Sequence, residues 1–267
     1  MMERKSIAER IMETERPEGG TSTLPVVFWL GGAGFVIKHC DTVLGIDLYL
    51  SDACEGNDDY FKRLMPPPVS PEDIELDYLI VSHEHGDHLD RDSIHGFINH
   101  KKKTKLIGTS TVKKESLKLG VPENKILTLD RNESVDLDGF RVSAVYCDHG
   151  DGCPDAIGVI VGIGGKRIYF TGDTRYRPSL PGMVGSIGQI DLLIVPINGT
   201  FENPDAKDAA YIAAWVKPVV ATPCHYWLFK EQCGNPAEFV ERCAEIAPDT
   251  FVKILTVGEA YRIVTDL

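Results

Sequence analysis

Short apolar runs, each closed by glycine, proline or a charged residue, recur along this chain, and their length marks them as strands. In the first half they are Val26 to Leu30, Phe35 to Lys38, Val43 to Asp47, Tyr78 to Val81, Lys105 to Gly108 and Ile126 to Leu129. Apolar residues at helical spacing occupy Ser6 to Glu15, Arg91 to Asn99 and Thr111 to Leu119, the last stopped by Gly120. From Ser134 the pattern returns to strands: Ser134 to Leu137, Arg141 to Tyr146, Ile157 to Ile163 and Lys166 to Phe170, with Gly164-Gly165 as a hairpin turn. Asp191 to Ile197 is almost continuously apolar, the mark of a strand covered on both faces. A helix over Asp205 to Trp215, a strand over Pro218 to Pro223, a helix over Pro236 to Ile246 and strands over Val252 to Leu255 and Tyr261 to Val264 complete the reading.

The order is therefore β-rich, α/β, β-rich, α/β. Two halves of this kind bury their apolar faces best as two packed sheets with helices outside, an α/β four-layer αββα sandwich. No composition break divides the chain, so residues 1–267 are expected to form one domain, with 1–20 as a helix and loop extension ending at Pro17-Glu18-Gly19-Gly20. The cluster Gly31-Gly32-Ala33-Gly34 lacks the spacing of a phosphate cradle and no helix follows it, so it reads as a tight turn. Asp52 to Ser70 is polar, is broken by Pro66-Pro67-Pro68, and has the length of a binding loop or lid.

Composition narrows the setting. Of 267 residues, 43% are hydrophobic and 25% charged, as in ordinary soluble proteins. The formal net charge of -12 argues against nucleic acid or an anionic membrane as a partner, since phosphates would be repelled over most of the surface. No apolar run approaches the length of a membrane span, and Met1 to Glu15 is charged throughout, without a secretion signal. Seven cysteines, an odd number without C-x-x-C spacing, read as reduced thiols in a cytoplasmic protein. They are expected as small buried hydrophobes, with Cys147, Cys153 and Cys224 set apart by their nearness to candidate ligands.

The chemistry concentrates at Ser82-His83-Glu84-His85-Gly86-Asp87-His88, directly after the run Tyr78 to Val81. Three imidazoles and a carboxylate this close would be costly to bury without partners, and a divalent metal supplies one. Histidine nitrogens with a carboxylate suit zinc, manganese or iron. Three more polar residues end apolar runs in the same way: His149, Asp173 and His225. His95 and His100, on or beside a helix, read instead as surface or packing histidines, and Lys101 to Lys103 as a solvated loop.

With these residues in view the chain resembles the metallo-β-lactamase superfamily. The likeness rests on Asp47 after the third strand, H-x-H-x-D-H at His83 to His88, then His149, Asp173 in Thr171-Gly172-Asp173-Thr174, and His225. It implies two divalent metal ions, manganese or zinc. His83, His85 and His149 would hold one and Asp87, His88 and His225 the other, with Asp173 bridging and Asp47 orienting a ligand from behind. The bridging aspartate sets the chain apart from true β-lactamases of this fold.

Within the superfamily Trp29-Leu30-Gly31, Gly34, Gly172 to Tyr176, Gly199, Glu202-Asn203-Pro204, Lys207, Pro223 to His225 and Trp227 resemble the L-ascorbate-6-phosphate lactonase branch. That likeness implies a homo-oligomer, tilts the metal toward manganese, and makes a phosphorylated sugar lactone the expected small anionic substrate. Asp87 would be the catalytic acid/base. Arg175, Arg177 and Lys207 are the candidates for the phosphate, because an acidic protein needs local cations to hold one. A phosphodiesterase on the same metals is the second enzymatic reading, and a non-catalytic metal-binding interaction protein is the reading from another class. The complete ligand set counts against the latter.

Overall fold

The computed structural model describes residues 5–13, 24–99 and 104–264; the stretch Pro17 to Gly20, His100 and Lys101 to Lys103 lie outside the described residues. A short helix, α1 (Ile7–Met12), opens them. Its Ser6 hydroxyl accepts from the Glu9 N–H while the Glu9 carboxylate accepts from the Ser6 N–H, a reciprocal cap.

The strands β1 (Val26–Gly31), β2 (Gly34–His39) and β3 (Thr42–Ile46) form an antiparallel meander. Pairing then becomes parallel through β4 (Tyr78–Val81), β5 (Lys105–Gly108) and β6 (Ile126–Thr128), with α2 (Ile94–Ile98) and α3 (Ser110–Lys118) in the crossovers. The second half repeats the plan. An antiparallel set of β7 (Ser134–Leu137), β8 (Phe140–Tyr146), β9 (Ile157–Ile163) and β10 (Lys166–Phe170) passes into a parallel set of β11 (Leu192–Pro196), β12 (Val220–Cys224) and β13 (Phe251–Val252). Its helices are α4 (Leu180–Val184), α5 (Ala206–Val216) and α6 (Pro236–Ile246). The last strand, β14 (Ala260–Arg262), returns to the first sheet beside β1, giving the orders β14-β1-β2-β3-β4-β5-β6 and β13-β12-β11-β10-β9-β8-β7.

Side-chain alternation explains the layering. Val27 and Trp29 of β1, Phe35 and Ile37 of β2, Leu44 and Ile46 of β3 and Ile80 of β4 point into one large core shared with Val142, Val159 and Val161 of the second sheet. Their neighbours Phe28, Leu30, Val36, Val43, Leu79 and Val81 point the other way, into a core closed by Ile94, Phe97 and Ile98 of α2 and Val112 of α3. Both faces of the first sheet are thus buried, as the αββα expectation requires.

The structure differs from the sequence reading in a few places. Helix α4 was not expected, because Pro181 and Gly182 inside it mask any helical signal. Cys40 and Cys233 are exposed, against the expectation that the cysteines are buried. Among the described residues no helix is long and apolar enough to cross a membrane.

Candidate metal centre

Strands β3 and β4 run parallel in the first sheet, and β8, β10 and β12 share one direction in the second. Their carboxyl ends therefore meet at one edge of the sandwich. From these ends come Asp47 after β3, His83 to His88 after β4, His149 after β8, Asp173 after β10 and His225 after β12. Local sequence fixes two of these junctions. Gly172 has φ 67°, and a Cβ there would lie 2.6 Å from the Ile157 carbonyl oxygen, so only glycine lets the chain turn Asp173 inward. The glycine turn between β1 and β2 is a buttress: the Gly32 carbonyl accepts from the His225 N–H at 2.8 Å.

Two groups of ring nitrogens result. His83 Nε2 and His149 Nε2 lie 3.1 and 3.0 Å from His85 Nδ1. His88 Nε2 lies 3.3 Å from His225 Nε2, and Asp87 Oδ2 lies 3.4 Å from that same atom. Between the groups stands Asp173, whose Oδ2 is 3.2 Å from His225 Nε2, 3.4 Å from His88 Nε2 and 4.0 Å from His149 Nε2.

The cluster fits cations. Three imidazole nitrogens converging on one point cannot all be satisfied by one another's single protons, whereas nitrogens bound to a tetrahedral zinc at 2.0–2.1 Å stand about 3.3 Å apart. The surroundings also aim the lone pairs inward. Asp47, fully buried, accepts from the Ser82 N–H at 2.8 Å, from the Ser82 hydroxyl at 2.5 Å and from His88 Nδ1 at 2.7 Å. The Ser82 oxygen in turn receives His83 Nδ1 at 3.0 Å. Asp47 thereby sets the tautomer of two histidines, leaving both Nε2 atoms toward the site, as an outer partner of a metal ligand does.

Three other side chains hold these groups, and only one of them lacked any signal in the sequence. Asn203 Nδ2 donates to Asp173 Oδ2 at 2.7 Å, Gln232 Nε2 donates to Asp87 Oδ2 at 3.2 Å, and Cys153 Sγ meets His85 Nε2 at 3.3 Å. Cys153 was set apart by its position near ligands, and Asn203 sits in a quoted motif. Nothing in the sequence pointed to Gln232.

Charge balance follows burial. Burial pushes His83 well below the ordinary histidine range, with His88 adding to it, and burial takes His149 down to about 4 against the pull of Asp173. Burial also opposes charge on His88 and His225, but Asp173 and its neighbouring carboxylates outweigh it, lifting His88 well above the usual range and His225 to about 9. Burial would raise Asp87 and Asp173, yet the two imidazolium groups hold both low.

In the metal-free protein, His225 therefore contributes stability that is full below its unfolded pKa of ~6.5 and is lost as pH rises through about 9. His149, shifted the other way, makes the folded state lose ground as pH falls from ~6.5 to about 4. Ligation requires neutral imidazoles, so metal uptake at pH 7 is expected to expel one or more protons per chain from the His88 and His225 pair. Calorimetric metal titrations in two buffers of different ionisation enthalpy read that number directly, and uptake without proton release contradicts it.

A cavity of 530 Å³ opens over the histidines. Its floor is His85, Gly86, Asp87, His149, Asp173 and Gln232, and its walls are Ala53, Cys54, Glu55 and Phe61 from the 52–70 segment with Arg91, Phe201 and Phe229. The long segment is thus a wall of the cavity, pinned by Arg63 Nη1 donating to the Tyr49 carbonyl at 3.0 Å and by a strand-like pairing of Arg63 with Phe229.

The cations considered for a phosphate stand elsewhere. Arg175 and Arg177 line a neighbouring open cleft that shares only His149 with this cavity. Arg175 is paired with Glu202, and Arg177 Nε lies 3.1 Å from Asp148 Oδ2. Lys207 is exposed in the first turn of α5 and lines neither space. Arg91 is the cationic side chain among the described residues of the cavity wall.

Paired sheets, seven-stranded among the described residues, with helices outside and a histidine and aspartate cluster at one edge, define the metallo-β-lactamase class of fold. The chain belongs to the beta-lactamase superfamily, whose domain family matches residues 39–226. Along most of its length it is similar to a UPF0173 protein of Pyrococcus furiosus, 27% identical and covering 89% of this chain and 99% of that one. A UPF0173 metal-dependent hydrolase of Methanopyrus kandleri is likewise 27% identical, over 88% of this chain and 98% of its own. Among solved structures, a metallo hydrolase of Ignicoccus hospitalis superimposes with a TM-score of 0.71 at 20% identity, covering 91% of this chain and all of that one, which shows a shared fold.

Proposed function

We propose that this protein is a metal-dependent hydrolase with a binuclear site, opening a small carboxylic ester or lactone. The observation that carries the reading is the position of Asp173 Oδ2, within 4.0 Å of nitrogens from both histidine groups. One carboxylate can then be shared by two cations. His83, His85 and His149 would hold the first, and Asp87, His88 and His225 the second, with manganese or zinc suited to the donors. The metal-dependent hydrolases among its relatives support the reading.

Bound divalent cations would supply acidified water, its pKa lowered from ~15.7 to roughly 7, and an electrophile for the scissile carbonyl. The chain does the rest. Asp87 faces the cavity with its Oδ2 held by Gln232, so its carboxylate is placed to take a proton from the attacking water and return it to the leaving oxygen. Asn203 keeps the Asp173 carboxylate turned toward the histidines. Apolar walls limit solvent over the floor and strengthen these interactions.

Among the described residues of the cavity, Arg91 is the cation left for the phosphate of the expected sugar lactone, because Arg175 and Arg177 are engaged by carboxylates outside it. The substrate class is therefore drawn as an ester or lactone without requiring a phosphate. A panel tests it: aliphatic lactones, aryl esters, L-ascorbate 6-phosphate and bis-aryl phosphodiesters, each offered to manganese- and zinc-loaded protein. Turnover of lactones or esters that a chelator abolishes is expected. Turnover confined to phosphodiesters overturns the choice of reaction, and turnover of the ascorbate phosphate above all others restores the sugar phosphate.

A further inference from the structure

We propose that Phe61, Phe201 and Phe229 form an apolar subsite that receives an aliphatic or aromatic side group of the substrate. This rests on the hydrolase reading and deepens it, since it names which esters and lactones the site selects.

The three rings form a continuous wall rising from the catalytic floor. Phe61 is 5.4 Å from Phe201 and 5.3 Å from Phe229 between ring centres, in tilted and edge-on contacts of the kind aromatic pairs favour. They come from three separate segments: the 52–70 loop of the first half, the loop after β11, and the loop after β12. Phe229, fully buried, is the base of the wall and is fixed by packing on Tyr49. Phe201 is 46% exposed, so its ring is open to a ligand on the cavity side.

Backbone geometry sets these rings deliberately. Phe61 has φ 53°, Phe201 φ 52° and Glu202 φ 71°, left-handed conformations that bulky side chains rarely adopt. Strain of this kind persists where the surroundings hold it, and it gathers at ligand sites. Here the loop is held from both sides, by Glu202 pairing with Arg175 and by Asn203 donating to Asp173 two residues after Phe201. The bond that orients the bridging carboxylate thus also places the aromatic wall. The space enclosed, 530 Å³, is within the range of small-molecule sites and larger than a bare lactone ring requires.

The experiment uses metal-loaded full-length protein and two series. Straight-chain carboxylates from butanoate to octanoate are titrated as product-like ligands, and γ-lactones of matching chain length are assayed as substrates. Affinity and kcat/KM are expected to rise about threefold per added methylene, against about fourfold for complete burial. Phe201→Ala, at an exposed position, and Phe61→Leu are each expected to flatten the slope, whereas Val240→Ala, exposed on α6, keeps it. A flat wild-type slope, or an undiminished slope in both phenylalanine variants, overturns the subsite. So does a Phe201→Ala protein whose only change is its oligomeric state in sedimentation, which would assign the exposed ring to a contact between copies. A carboxylate slope in protein that turns over neither lactones nor aryl esters supports the subsite and sinks the hydrolytic reading, so the two fail separately.

Discussion

Asp173→Asn protein is expected to bind at most one divalent cation per chain where the wild type is expected to bind two, and to lose turnover by more than the ~10–100-fold typical of removing an outer partner of a metal ligand. The reason is geometric. Asp173 Oδ2 lies 3.2 and 3.4 Å from the nitrogens of His225 and His88 and reaches toward His149, while Asn203 holds it in place. Asparagine keeps the shape but not the charge, and its amide nitrogen turned toward imidazoles brings a donor where an acceptor is needed. Metal counting by plasma mass spectrometry after equilibrium dialysis reads the stoichiometry. Two tightly held metals in the variant would remove Asp173 from the bridge.

The second large effect is expected at Asp87. Asp87→Asn is expected to keep the fold and the ion held by His83, His85 and His149, to weaken the one held by His88 and His225, and, with both ions restored by excess metal, to lower turnover by about 10²–10⁴-fold, the span associated with losing a general acid/base. Asp87 lines the cavity floor and is oriented by Gln232, whereas Asp47 lies behind the histidines and is not part of that lining. Metal content and kcat measured on the same preparation separate the roles: a fall in kcat at unchanged metal content assigns proton transfer, and unchanged turnover withdraws it. Proton release on metal uptake is a separate matter, belonging to the His88 and His225 pair.

Much of this centre was legible because its residues terminate apolar strands. His83 follows Tyr78–Val81, Asp173 follows Lys166–Phe170 and His225 follows Val220–Cys224, so each strand's burial fixes where its polar end emerges. Strands whose faces are both covered, such as Leu192–Pro196, show as continuous apolar runs and were equally plain. What escaped depends on contacts between distant segments. Gln232 lies 145 positions from Asp87 and has no local pattern to announce it. The pairing of Arg177 with Asp148 and of Arg175 with Glu202 was also invisible, so cations that looked available for a phosphate prove to be engaged. Helix α4 was hidden by its own proline and glycine, and the return of β14 to the first sheet follows from topology, which no local pattern encodes. The 52–70 segment was recognisable as a loop with work to do. Which of its residues faced the site depended on a backbone turned left-handed at Phe61.

The most direct test of the account is anomalous diffraction from crystals of the manganese- or zinc-loaded protein. Two peaks are expected, one among His83, His85 and His149 and one among Asp87, His88 and His225, with an Asp173 oxygen between them. A single peak, or two peaks that do not share Asp173, would contradict the binuclear centre from which the proposed chemistry follows.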